Sequence, residues 1–111
     1  MIVRESIQIN NLIKDLQFLK YIEDKIGCEY IEDLEDPSDL NQGYCILVAE
    51  YLKSKYPNSE FWTIGNPLSY HVFLQIGDKF YDAVNTEGVN KIEDLYWAQD
   101  WKGNLNPQKG N

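Results

Sequence analysis

The apolar residues of this chain change their period along its length. From Asn11 they recur at Leu12, Ile13, Leu16, Leu19, Ile22 and Ile26, the three-and-four spacing that gathers side chains on one face of a helix. Asn10 or Asn11 offers a capping side chain at its start, and Gly27 offers a left-handed stop at its end. The loop over 28–39 is dense in acids (Glu29, Glu32, Asp33, Glu35, Asp36 and Asp39) and carries no base. A second helix is predicted from about residue 40 to 55, with Asp39 and Gln42 spaced as a capping box. Cys45, Val48, Ala49, Leu52 and Tyr56 share one of its faces. Ile46, Leu47 and Tyr51 widen that apolar surface, so this helix is expected to be buried.

After Pro57-Asn58-Ser59 the period falls to two. Phe61–Ile64, Tyr70–Ile76 and Lys79–Val84 read as strands. Gly77-Asp78 joins the last two as a two-residue hairpin turn, which glycine's tolerance of positive φ favours. Residues 2–9 form a short strand or an extended arm. A third helix is expected over about 91–100, carrying Ile92, Leu95 and Tyr96, and the polar tail NLNPQKGN is expected to fray. Together these elements predict one α+β domain over 1–111: a central helix on a small antiparallel sheet, flanked by the N-terminal and C-terminal helices.

Composition narrows the function classes. Eighteen acids against ten bases give a net charge of −8, and Arg4 is the only arginine. Nucleic-acid binding requires Lys and Arg to replace counterions along the phosphates, so it is disfavoured. An anionic membrane surface is disfavoured by the same repulsion, and no apolar run approaches the ~20 residues of a membrane span. The start, MIVRESIQINN, lacks the apolar stretch of a secretory leader because Arg4, Glu5 and Gln8 interrupt it. Two cysteines are too few for a disulfide framework, which makes the reducing cytoplasm the expected compartment. One histidine, two distant cysteines and an acidic loop without the calcium-loop pattern point to no metal site.

The hairpin brings candidate chemistry together. If Gly77 and Asp78 are the loop residues, Ile76 faces Lys79, Phe73 faces Asp82 and His71 faces Val84. His71, Phe73 and Asp82 then share one sheet face, with Asp82 the diagonal neighbour of His71. His71 is the only histidine in the chain, so any thiol–imidazole mechanism must use it. A thiol beside an imidazole can lose its proton to the ring, and a carboxylate on the far nitrogen holds the tautomer and stabilises the imidazolium. Cys45, near the start of the central helix, is the candidate nucleophile, with His71 the base and Asp82 its orienting group. Its backbone N–H and the side-chain amides of Gln42 and Asn41 are the oxyanion-hole candidates. Gly43, Tyr44, Trp62 and Tyr70 are the candidates for substrate contact. Cys28, among acids and without a basic neighbour, is expected to be the less reactive thiol.

Gly43-Tyr44-Cys45 opening an apolar helix, Tyr70-His71-Val72 opening a strand, and Phe80-Tyr81-Asp82-Ala83 on the next strand resemble the papain-like and transglutaminase-like thiol enzymes. Within that superfamily the stretch is similar to compact bacterial papain-like hydrolases and protein-glutaminase-type deamidases. The resemblance covers about residues 40–88 and lacks the C-G-S-C-W signature. It implies amide or thioester chemistry through a Cys45 acyl-enzyme, with a protein or peptide as substrate and no cofactor. The competing expectation is a non-enzymatic acidic protein, such as an inhibitor from a mobile element, that offers its acids to a basic partner surface.

Overall fold

The structure, a computed structural model, describes residues 7–27 and 34–110. Cys28, the acids between 29 and 33, and residues 2–6 of the expected N-terminal arm lie outside the described residues. The fold is α+β, with two helices and a four-stranded antiparallel sheet among the described residues. Helix α1 spans Leu16–Ile26 and α2 spans Cys45–Lys55; the strands are β1 (Glu60–Asn66), β2 (Ser69–Ile76), β3 (Lys79–Tyr81) and β4 (Gln108–Gly110), in the order β3-β2-β1-β4. Among the described residues no helix is long and apolar enough to cross a membrane.

Both helices start later than their apolar periods suggest. Asn11 caps only a short 3-10 turn, Leu12–Lys14, and Asp15 is the true cap of α1, its carboxylate accepting from the Gln17 and Phe18 amides. Ahead of α2, Pro37–Asn41 forms another 3-10 turn, capped reciprocally by Asp36 and Asp39. Gly43 then sits at φ 97°, outside helical space, so the helix proper begins only at Cys45. Residues 7–11 run as coil rather than strand, tied down where the Ile9 amide donates to the Thr86 carbonyl at 2.9 Å.

Two tight hairpins order the sheet. Asn66 closes the β1–β2 turn by accepting from the Leu68 and Ser69 amides, both at 2.9 Å. The β2–β3 turn pairs Ile76 with Lys79, Gln75 with Phe80 and Leu74 with Tyr81, the register a two-residue Gly-Asp loop demands. Gly65 is held at φ 106°, and a Cβ there would press into the Ser69 carbonyl at 2.3 Å, so only glycine fits that crossing.

Side chains of β2 alternate between two cores. Leu74 and Ile76 join Phe18, Ile22, Val48 and Leu52 under the helices, while Phe73 joins Ile64, Leu95 and Ala98 on the other face. That second face is not covered by a helix. Two 3-10 turns, Ile92–Asp94 and Tyr96–Asp100, replace the expected helix because Leu95 between them takes an extended conformation (φ −62°, ψ 141°). The Tyr96 amide is drawn to the Asn85 side chain at 3.0 Å, and Leu95 is completely buried. The polar tail is also ordered: Gln108–Gly110 pairs with Phe61–Thr63 as an edge strand. Main-chain hydrogen bonds do not depend on side-chain identity, which is why hydropathy gives no sign of it.

Candidate active site

The ends of three elements meet at one point. Cys45 is the first residue of α2, His71 lies near the start of β2, and Asp82 follows the last residue of β3. All three are buried, at 6%, 0% and 1% exposure. His71 Nε2 and Asp82 Oδ2 lie 2.8 Å apart, as the diagonal placement on one sheet face allows.

Asp82 is held on every side. Its Oδ1 accepts from the Val84 amide at 3.0 Å and the Asn85 amide at 2.7 Å. This local turn pulls the chain out of the ladder, so β3 stops at Tyr81 and the expected strand to Val84 is cut short. The cut exposes an edge. Ile76 and Leu74 are bonded towards β3, and by the alternation of an antiparallel ladder Val72 points its amide the same way, where no strand remains. The start of α2 lies at that gap, and the Val72 and Ile46 amides help to lower the Cys45 thiol.

The electrostatics follow from these contacts. Burial pushes the Cys45 thiol up, but contact with His71, the two backbone amides and the charge of His71 outweigh it, and the net shift is downward. Burial pushes His71 down, yet the hydrogen bond to Asp82, the contact with Cys45 and their charges outweigh that, and the net shift is upward. The two groups are displaced towards each other, the direction that favours a thiolate–imidazolium pair.

Among the described residues two buried side-chain polar atoms have no hydrogen-bond partner, His71 Nδ1 and Asn41 Nδ2. Both border Cys45. With Nε2 held by Asp82, Nδ1 is the ring nitrogen left to meet the thiol. That contact shifts both groups without closing a full hydrogen bond, a looseness common in sites without substrate. Asn41 lines a cavity of about 410 Å³ together with Gln42, Gly43, Cys45 and Tyr70. Buried polar groups without a protein partner are rare, and these two belong to residues beside the thiol.

The other expected contacts divide. Gly43 and Tyr70 line the Cys45 cavity, with open space around the Gly43 Cα. Gln42 lines it as well, but from an exposed position. Tyr44 packs with the helical core instead. Trp62 lies further along the sheet, its Nε1 donating to Gln75 Oε1 at 2.8 Å and its ring edge-on to Phe80; it is not a wall of this cavity.

The sequence reads Trp97 and Trp101 as core and rim aromatics, and does not show that Trp97 meets His71. The Trp97 indole stacks on His71 at 5.5 Å and 11°, with Trp101 stacked behind it at 5.0 Å and 23°. With Phe73 on the same imidazole at 5.8 Å, the ring is clamped in orientation and shielded from water. The only signal was a pair of tryptophans four residues apart, which helical spacing turns into an ordinary apolar face. The chain matches no protein-family model, no characterised protein and no solved structure, so the geometry of the site carries the functional conclusion.

Proposed function

We propose that this chain is a compact papain-like thiol hydrolase acting on an amide-type bond through a Cys45 acyl-enzyme. The observation that carries this reading is the linked set of Cys45, His71 and Asp82, in which Asp82 saturates one side of the imidazole and leaves Nδ1 open towards the thiol. In the first step the thiol proton passes to His71 Nδ1 and Sγ attacks the substrate carbonyl. The oxyanion that forms is stabilised by Asn41 Nδ2 and the first amides of α2, which have no acceptor within the helix. The imidazolium returns its proton to the leaving amine, the C–N bond breaks, and a thioester remains on Cys45. Water, deprotonated by His71, attacks the thioester to release the acid and the free thiol. Peptide or isopeptide cleavage and glutamine deamidation share these steps. A thiol of this kind works only when reduced, which suits the cytoplasm.

Alkylation by iodoacetamide tests the reading without a known substrate. In a Cys28→Ser background Cys45 is the single reporter thiol. Its rate is expected to reach a plateau below the ordinary cysteine range near 8.5 and to fall as pH drops through the lowered thiol value. His71→Ala should return the profile to that of a free thiol, with circular dichroism showing the fold retained. A Cys45 that is inert, or a profile indifferent to His71→Ala, would overturn the assignment.

A further inference from the structure

The Cys45 cavity is the middle of three. On one side, a cavity of about 490 Å³ beneath the β1–β2 hairpin shares Tyr70 with it and is walled by Ile64, Gly65 and Pro67, with no charged residue. On the other side, a cavity of about 360 Å³ shares Asn41, Gln42, Ser69 and Trp97 with it and ends at Tyr96, Trp101 and Asp100. The Cys45 cavity therefore adjoins both, through Tyr70 on one side and through Asn41, Gln42, Ser69 and Trp97 on the other.

Exposed apolar side chains mark the same cavities. Of five large ones among the described residues, Ile46, Leu68, Tyr70 and Tyr96 line them. Leu68 is 97% exposed at the hairpin tip and Tyr96 is 55% exposed. A clustered apolar surface of this kind marks a binding site, whereas scattered single residues need no explanation.

The charge is equally localised. Asp100 is the only charged residue lining any of the three cavities. Among the described residues it makes no ion pair or hydrogen bond. It stands beside the aromatic rings of Tyr96, Trp97 and Trp101, in a protein of net charge −8. A free carboxylate beside indole and phenol faces attracts an ammonium or guanidinium group and repels an anion. The opposite cavity offers only apolar and neutral walls.

We infer that the occupant of these cavities is an extended polypeptide strand with a lysine or arginine side chain against Asp100 and the Tyr96–Trp101 rings, an apolar side chain beside Tyr70, and its reacting carbonyl over Cys45 between them. The carbonyl's part in this rests on the hydrolase reading; the occupancy does not. A lone glutamine side chain or a small amide fills the middle cavity and leaves both flanks empty.

Binding to a Cys45→Ala protein separates occupancy from chemistry. Fluorescein-labelled peptides in a Ser/Ala background would carry one Leu and one Lys. Their separation would be roughly two to five residues, at about 3.3–3.6 Å each, in either order. At one order and spacing, the Leu/Lys peptide is expected to bind roughly tenfold tighter than its Leu/Glu and Ser/Lys counterparts. Asp100→Lys should reverse the preference between Lys and Glu. Asp24→Lys, the same charge change at an exposed position on α1, should leave that preference in place. Equal binding of Lys and Glu peptides, an equal response to both substitutions, or no binding by any peptide would overturn the inference. Selective binding by a protein whose wild-type thiol is inert to iodoacetamide would uphold the occupancy and overturn the hydrolase.

Discussion

The two faces of β2 are both buried, and they are built from opposite materials. Under the helices, Leu74 and Ile76 join a core of aliphatic and aromatic side chains. On the other face, three residues before Leu74 on the same strand, His71 brings a titratable ring into an aromatic stack and pairs it with a buried carboxylate. The first face stabilises by removing apolar area from water, about 25 cal/mol per Å². The second contains groups whose burial is costly unless every polar atom is satisfied. Asp82 is satisfied, by two amides and an imidazole. His71 Nδ1 and Asn41 Nδ2 have no protein partner. The difference between the two faces therefore centres on a single imidazole ring.

The largest effects should come from a matched pair of truncations, one on each face. Asp82→Ala removes the shared acceptor of two backbone amides and the histidine, leaving a buried network broken at its centre. A loss of about 3–5 kcal/mol is expected, together with loss of the low-pH arm of Cys45 alkylation. Leu74→Ala, fully buried on the helical face, should cost about 2–5 kcal/mol through lost transfer energy and a cavity. In the protein that remains folded, however, the alkylation profile should be unchanged. Urea denaturation and alkylation measured on the same samples check both. A Leu74→Ala protein with an altered thiol profile would mean that the faces are not independent.

How much of this could be read beforehand depends on which forces set each element. The period-two run Tyr70–Ile76 and the Gly77-Asp78 turn determined parity, and parity alone put His71 and Asp82 on one face. The apolar run of α2 set Cys45 at the start of a buried helix. The C-terminal cover was illegible, because Ile92, Leu95 and Tyr96 carry helical spacing while the backbone follows the sheet. Leu95 must turn extended to reach its pocket, and that packing overrides the periodicity. The edge strand Gln108–Gly110 and the stacking of Trp97 on His71 are tertiary facts with no local signature. The break in the ladder opposite Val72 was hidden for another reason: it follows from the Asp82 side chain ending β3 early.

A smaller effect isolates the join between thiol and ring. The chain has one histidine, so its imidazole resonances can be followed through a pH titration without assignment. His71 should titrate above its ordinary value near 6.5. Contact with Cys45 is one of the causes that raise it, ranking after the hydrogen bond to Asp82. Cys45→Ser should therefore lower the midpoint, because the serine hydroxyl stays neutral in this range and offers the imidazolium no charge partner. An unmoved midpoint would place the thiol out of contact with the ring, and the join between the two groups would be lost.

The smallest expected change in stability belongs to Asn41, and it is the most informative. Its Nδ2 has no partner to lose, so Asn41→Ala should shift the unfolding free energy by no more than about 0.5 kcal/mol. Chemistry at the thiol should respond in two different ways. Alkylation by iodoacetamide displaces iodide from a saturated carbon and forms no oxyanion, so its rate should be unchanged. Acyl transfer from p-nitrophenyl acetate passes through a tetrahedral oxyanion, and loss of a positioned donor should slow it by roughly a hundredfold. Gln42→Ala should slow it less, because Gln42 is exposed and water already satisfies its amide. If Asn41→Ala slows both reactions equally, its amide positions the thiol rather than the oxyanion. If it slows neither and stability falls, the unpaired Nδ2 belongs to the fold and not to the reacting face.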